Sequence, residues 1–474
     1  AIVILVKNPD TKELGKIYFH AVDDYLTREQ KLEEVTKCHS VVNMDWQRIV
    51  PDSHNDWVNQ RDDSYSNFMR MDGGRTEDEI AIFDDYSIGI NTSRDVWVYN
   101  SSQKKVKKSC LLLLETYNST IELPKEQWVK DSRLIKWSSS LESYAARGKH
   151  FSLQPNKVKN SLYRPFFKQF LYFGEGLIHR RGRWDKIFPT QSSKNMVIVV
   201  TGKGAKGFSC LIASAIPCLD FLEKSQCFPR YIYVTEEKDD APNYDLFSTY
   251  KTAGDGRKSA ITEKALRHFQ EAYPEHKREL DADALFYYVY GILHSEDYRK
   301  KYANNLMKEL PRIPRVATWA EFVKFSQAGE KLAKLHLNYE KVKPYESVTI
   351  HTASDHPSYE VTKMRWGKIA GMTGNAGKDK TKLIYNSEIV ITDIPLEAQE
   401  YVVNKRSALD WLVEKCCVTV DKDSGIVNNF NDYGEEIGNP KYTLELFLRV
   451  ITVSLETMKI VRSLPPLRIH QLDK

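Results

Sequence analysis

The stretch SLYRPFFKQFLYFGEGLIHRRGRWDKIFP, Ser161 to Pro189, sets side chains that stack beside side chains that neutralise phosphate. Eight aromatics (Tyr163, Phe166, Phe167, Phe170, Tyr172, Phe173, Trp184 and Phe188) interleave with six cations, Arg164, Lys168, Arg180, Arg181, Arg183 and Lys186, opposed only by Glu175 and Asp185. Lysine and arginine displace counterions from a nucleic-acid backbone, and aromatic faces stack on bases or sugars, so the composition predicts a nucleic-acid surface. It fits equally a pair of amphipathic strands joined by a solvated basic turn. A second basic stretch spans residues 360–382. There Lys363, Arg365, Trp366, Lys368, Lys378, Lys380 and Lys382 meet only Glu360 and Asp379, and Gly371, Gly374 and Gly377 make a loop able to follow a groove.

Three other patterns carry possible chemistry. Gly202, Gly204 and Gly207 spell GxGxxG after the apolar Met196–Val200 segment, as in a dinucleotide-binding turn. Such a turn opens a long helix whose amino end receives the pyrophosphate, and Pro217 leaves room for about two turns. A hairpin turn in which Lys203 and Lys206 touch a phosphate backbone suits these residues better. Asn439-Pro440-Lys441-Tyr442 is one residue from the NPPY of amino-methyltransferases, where the Asn and a proline carbonyl hold the target amino group. Its place at the mouth of an amphipathic helix predicts helix capping instead. Asp220, Glu236 and Lys238 imitate the carboxylates and lysine of Mg2+-dependent nucleases, whereas Glu237 and Asp239 beside them suit an exposed acidic loop. HExxH, GxSxG and His/Cys metal clusters do not occur, so the sequence holds no self-contained catalytic site.

The elements that must position these groups follow from length and patterning. A chain of 474 residues predicts two or three domains, and 41% hydrophobic with 28% charged residues is ordinary globular composition. No apolar run approaches the ~18 residues of a membrane span. The seven cysteines are odd in number and never spaced as CxxC, which predicts a reduced, cytoplasmic protein without structural zinc. Net charge is 69 − 64 = +5, but residues 150–206 alone hold 11 Lys/Arg against 2 Asp/Glu, so the excess concentrates around the opening stretch.

Ala1–Val6 reads as a buried strand and Lys16–Phe19 as another. Thr27 to Gln30 reads as a capping box opening a helix. Ser87–Tyr99 reads as a loop and then a strand in which Val96 and Val98 alternate with Trp97 and Tyr99. Polar Ser138-Ser139-Ser140 and Gly148 mark a boundary, followed by a strand-rich block to about Val234 and a polar loop from Asp239 to Arg257. From Asp281 the period is helical, Met364–Leu383 reads as a hairpin, Glu397–Cys416 as a helix, and the last long helix begins near Pro440. The class expected is α/β in the first part and α+β in the second.

Several ordered stretches together resemble a known family. They include NDWVNQRDDSY (Asn55–Tyr65), SRDVWVYN (Ser93–Asn100), IKWSSSL (Ile135–Leu141), SLYRPFFKQFLYF (Ser161–Phe173), IHRRG (Ile178–Gly182) and SQCFPRYIY (Ser225–Tyr233). Further on come LFYYVYGILHSEDYRKKYANNLMKELPRIP (Leu285–Pro314), GEKLAKLHLNYE (Gly329–Glu340), IPLEAQEYVVNKRSALDWLVEK (Ile394–Lys415) and RVITVSLETMKIVRSLP (Arg449–Pro465). They resemble the carboxy-terminal portion of the single-chain Type ISP restriction-modification enzymes. The resemblance implies a polypeptide with a nuclease, a helicase-like ATPase motor, an adenine N6-methyltransferase and a final target recognition domain. On that layout residues 1–148 are the end of a Rossmann-like methyltransferase domain and residues 149–474 a mixed α+β recognition domain. The implied partners are double-stranded DNA and the upstream methyltransferase and motor domains. AdoMet, ATP and Mg2+ would serve the full enzyme, with none held by this chain. The residues expected on DNA are the cations named above, with Trp184 and Trp366; a Mg2+ nuclease and a scaffold joining motor to methyltransferase are the alternatives.

Overall fold

The computed structural model describes residues 3–13, 15–23, 26–73, 80–190, 192–234, 256–372, 374–375 and 377–473. The chain divides into two compact units, 1–65 and 66–474.

In the first unit the strand Ile17–Phe19 pairs antiparallel with Gln47–Ile49. The helix Arg28–Lys37 starts at a complete capping box between Thr27 and Gln30, as the spacing predicts. The strand expected at the beginning is not formed in its described part. Val3, Ile4, Leu5 and Val6 are coil, 65% to 89% exposed, and pair with no strand among the described residues.

The second unit is mixed α and β, with three four-stranded sheets among its described residues. In the first, β1 (Val158–Arg164) and β2 (Phe167–Tyr172) form a tight antiparallel hairpin, flanked by Ile216–Pro217 and Tyr99–Asn100. Pro165 and Phe166 make its turn, and Phe166 takes φ +57. Backbone from both sides of position 148 thus shares one sheet. Arg94 ties the same parts together: it is buried and donates to the carbonyls of Lys136 at 3.1 Å and Leu177 at 3.0 Å. In the second sheet β3 (Val197–Val200) pairs with β4 (Cys210–Ala213), and all eight residues are buried. In the third, Thr349–Thr352, Ile389–Thr392, β6 (Lys378–Ile384) and β5 (Arg365–Lys368) lie in that order.

Several local expectations change. Asp95–Val98 is one helical turn before a two-residue strand, so Trp97 and Val98 are buried by a helix and not by alternation. Ser138 caps a helix, Ser139–Ala145, where a polar linker was expected. Glu397–Cys416 is not one helix. Its first part is a short 3-10 turn and the hairpin β7 (Val402–Val403) and β8 (Arg406–Ser407), and only α3 (Ala408–Lys415) is helical. Asn439 does not cap the last helix with its side chain; it accepts from the Lys441 amide in a local turn at 3.0 Å. Nearly all of the acidic and polar loop after Val234, with Glu236 and Lys238, lies outside the described residues.

The centre of the unit is a pair of crossed helices, α1 (Ala282–His294) and α2 (Trp319–Leu337). A Cβ on Gly329 would lie 1.9 Å from the Tyr287 carbonyl oxygen, and one on Gly291 would lie 2.2 Å from that of Phe325. Only glycine permits this backbone contact. The crossing brings His294 to 3.5 Å from the Cys210 thiol of β4. His336 bridges the Tyr290 hydroxyl at 2.7 Å and the Thr457 hydroxyl at 2.8 Å, the latter on α4 (Tyr442–Arg462). Burial and the nearby Arg299 guanidinium push the His336 imidazole down to about 3 and His294 also well below the ordinary value.

Two outcomes are expected. Gly329→Ala forces the helices apart and lowers stability by roughly 3 kcal/mol or more, measured by urea denaturation; an unchanged midpoint would show that the crossing yields easily. Because both histidines are depressed in the folded state, their contribution is complete above pH 6.5 and is lost as pH falls towards their folded values. Stability therefore drops below pH 6.5 by up to about 1.4 kcal/mol per pH unit for each ring. His336→Gln makes the slope between pH 6.5 and pH 5 shallower, and an identical slope contradicts this assignment.

Candidate nucleic-acid interface

The aromatic stretch serves the core. Of its eight aromatics only Tyr163 is more than slightly exposed; Trp184 is 0% and Phe167 1% exposed. Phe166 packs edge-on against Tyr339, with ring centroids 5.3 Å apart, and Phe167 stacks on Phe430 at 4.5 Å. Trp184 donates its indole N–H to the Ile88 carbonyl at 2.9 Å. The expectation that Trp184 meets DNA does not fit this position, since the ring has no free face.

Most cations of that stretch are engaged by the protein itself. Arg164 is half-buried, lies over the Tyr163 ring at 4.1 Å and donates to the Tyr163 carbonyl at 2.6 Å. Lys168 pairs with Glu340, far along the chain. Arg181 stacks on Phe173 at 3.7 Å and pairs with Asp185 at 2.6 Å. Arg183 pairs with Asp85 at 2.6 Å. Arg180 and Lys186 are exposed and have no ion-pair partner among the described residues.

The second basic stretch is arranged differently. β5 and β6 form the expected hairpin, with Lys368 directly opposite Lys378. Like charges facing each other across a ladder destabilise it, so this pair favours an anion between them. The register shifts between Trp366 and Gly367, leaving residues 380–382 of β6 without opposite partners. Asp379 closes that bulge by accepting from the Thr381 amide at 3.0 Å and the Thr381 hydroxyl at 2.6 Å. Lys363, Arg365, Lys368, Lys378 and Lys382 are all exposed, and none forms an ion pair among the described residues.

The base of the hairpin is fastened. Trp366 is 6% exposed and donates its indole N–H to Asp410 at 2.8 Å. Lys380 lies over the Trp366 ring at 4.6 Å and pairs with the same carboxylate. Burial pushes the Asp410 carboxyl up, and the bonds from Lys380 and Trp366 outweigh that, holding it below the usual range. Trp366 and Lys380 are thus the footing of the hairpin, and Arg365, Lys368, Lys378 and Lys382, with Lys363 just before it, are the cations it displays.

The GxGxxG turn is the β3–β4 connection, and it runs from strand to strand without opening a helix. The Gly202 position is closed by the Lys224 carbonyl, 2.4 Å from where a Cβ would stand. This loop does not fit a cofactor pyrophosphate or an AdoMet carboxylate, because it opens no helix whose amides could receive one. Lys203 and Lys206 are exposed on it. Asp220 of the nuclease pattern is described, while Glu236 and Lys238 are not. Among the described residues no group of three or more His, Cys, Asp or Glu side chains is placed to hold a metal ion. Among them too, no helix is long and apolar enough to cross a membrane.

Comparisons with known proteins give the family and the fold. Residues 81–446 match the family profile described as Type ISP C-terminal specificity domain. The structure of a nuclease-deletion mutant of the Type ISP restriction-modification enzyme LlaGI, in complex with a DNA substrate mimic, superposes on 98% of this chain. Its TM-score is 0.82 at 33% identity, over 40% of that chain. The ATP-dependent Type ISP enzyme LlaBIII bound to DNA matches 97% of this chain with TM-score 0.83 and 31% identity, over 28% of its own length. A DrdV–DNA complex matches 96% with TM-score 0.79 and 30% identity, over 44% of its length. The chain thus spans less than half of each of these proteins. Among curated proteins no match was found. With most of its length matched by the family profile and nearly all of it by these folds, the chain belongs to the Type ISP C-terminal specificity-domain family.

Proposed function

We propose that this chain recognises a specific double-stranded DNA sequence for an adenine N6-methyltransferase within a Type ISP restriction-modification enzyme. The observation that carries the reading is the β5–β6 hairpin, whose four exposed cations, with Lys363 just before it, include two lysines held opposite each other. Beyond Leu383 and Ile384, which pair with Ile389–Thr392, the hairpin is two-stranded, and a two-stranded ribbon fits the major groove of B-form DNA. Lys363, Lys368, Lys378 and Lys382 suit phosphates, and Arg365, with its planar fork, suits the acceptor edge of guanine. Arg180, Lys186, Lys203 and Lys206 are further exposed cations available to the backbone. That LlaGI, LlaBIII and DrdV were each solved with DNA supports the same partner here.

In this reading residues 149–474 serve recognition and the end of the methyltransferase part falls within residues 1–148, of which 81–148 are also matched by the specificity-domain profile. Methyl transfer from AdoMet, and ATP- and Mg2+-dependent motor and nuclease steps, belong to other segments of a cytoplasmic polypeptide. The chain's own residues bind and orient the duplex. By itself it transfers no methyl group.

The test is duplex binding measured against salt. Replacing Lys368 and Lys378 by Gln leaves two phosphates without a neutralising cation, so affinity falls and the slope of log K against log salt flattens by about 0.9 for each of them. The same substitutions relieve the cross-strand repulsion and raise hairpin stability by up to about 1 kcal/mol, read as a higher melting temperature. Unaltered affinity and slope in the folded variant would remove the hairpin from the interface.

A further inference from the structure

Nine described non-glycine residues take positive φ, and the only two lysines among them, Lys224 at +57 and Lys405 at +63, converge on the β3–β4 loop. Lys405 is the second residue of the two-residue turn between β7 and β8, where Asn404 has φ +50. Positive φ at both central positions marks the hairpin turn that favours Asn-Gly, so a lysine stands where the backbone prefers glycine. An exposed charged side chain at a strained position points to a use for the charge.

The surroundings supply that use. The Asn404 amide donates to the Ser209 hydroxyl at 2.9 Å, docking the β7–β8 turn on the β3–β4 loop. The Lys405 stem crosses Gly207, where a Cβ would come within 3.2 Å of its Cε. Lys224 braces the loop from the other side, donating to the carbonyls of Lys203 at 3.3 Å and Gly204 at 3.0 Å. Glu223 accepts from the Lys206 backbone amide at 2.9 Å. Lys203, Lys206 and Lys405 are exposed, and none has an ion-pair partner among the described residues. The patch also joins the hairpin already described. β8 runs straight into α3, whose first-turn Asp410 holds Trp366 and Lys380 of the β5–β6 hairpin.

We propose that Lys405, with Lys203 and Lys206, forms a second contact on the phosphodiester backbone of the same duplex, flanking the part read by the β5–β6 hairpin. It rests on the DNA-recognition reading above. Lys405 acts as a positioning residue: it sets the register of the duplex on the hairpin without reading bases. The glycines of the GxGxxG pattern serve this patch, admitting the two lysines that close over the loop.

The experiment uses the full chain and a fluorescein-labelled mixed-sequence duplex over a series of KCl concentrations, with melting temperature recorded for each variant. Lys405→Gly relieves the turn, so the melting temperature holds or rises, while duplex affinity falls several-fold and the salt slope flattens by about 0.9. Lys203→Gln with Lys206→Gln, which leaves the turn untouched, weakens binding likewise, and Lys405→Arg binds as the parent does. If the Lys405→Gly and Lys203→Gln/Lys206→Gln variants bind with parental affinity and slope while Lys368→Gln/Lys378→Gln binds weakly, the second contact is overturned and DNA recognition stands. If the parent chain binds no duplex, both fall together.

Discussion

The backbone contact between α1 and α2 at Gly291 and Gly329 is the constraint from which the larger unit is built. Two helices that meet carbonyl to Cα have one relative position, because close-packed interiors do not deform continuously. That position puts His294 beside Cys210 of the β3–β4 sheet and His336 beside Thr457 of α4, so one crossing orients a sheet and a third helix. The polar groups involved are buried and mutually satisfied, which specifies a single arrangement where apolar side chains alone would allow several. Phe166, at the tip of the β1–β2 hairpin, enters the same cluster against His336 and Tyr401.

Charge is distributed over this frame in two ways. Where cations lie beside acids or carbonyls contributed by other elements, as at Lys168 with Glu340 or Arg183 with Asp85, they hold segments together. Where they face each other across a ladder and form no ion pair among the described residues, as at Lys368 and Lys378, the repulsion is left for an external anion to relieve, since nearby Asp379 is bonded to Thr381. Lys380 shows the boundary between these roles. Its ammonium is taken by Asp410 while its neighbours two residues away on either side, Lys378 and Lys382, remain exposed.

Much of the secondary structure was legible from the chain. The capping box at Thr27, the helix opening at Asp281, the hairpin over Met364–Leu383 and the last amphipathic helix all follow from side-chain spacing or from local bonds within about one turn. Expectations failed where the outcome depended on distant partners. Val96 and Val98 alternate like a strand, yet the segment turns helical under α-helix Gln103–Ile121, against which it packs. Tyr401 to Ser407 has helix-forming neighbours, yet the Asn404-Lys405 turn is docked on Ser209. The lone signal for Lys405 was Asn-Lys between two valines and an arginine, a turn pattern weaker than Asn-Gly.

The family, the mixed α+β class and the concentration of cations in two stretches were determined by the sequence itself, because residue order, periodicity and composition are properties of the chain. Which of those cations face outward was decided only by the tertiary structure. A side chain's availability depends on whether folding brings an acid, a carbonyl or an aromatic face to it, and for Lys168 that acid lies 172 residues away. For the same reason the richest basic stretch became a core hairpin with most of its charges internally engaged. The plainer glycine- and lysine-rich segment, fastened through Trp366 and Asp410, is the one left presenting its charge.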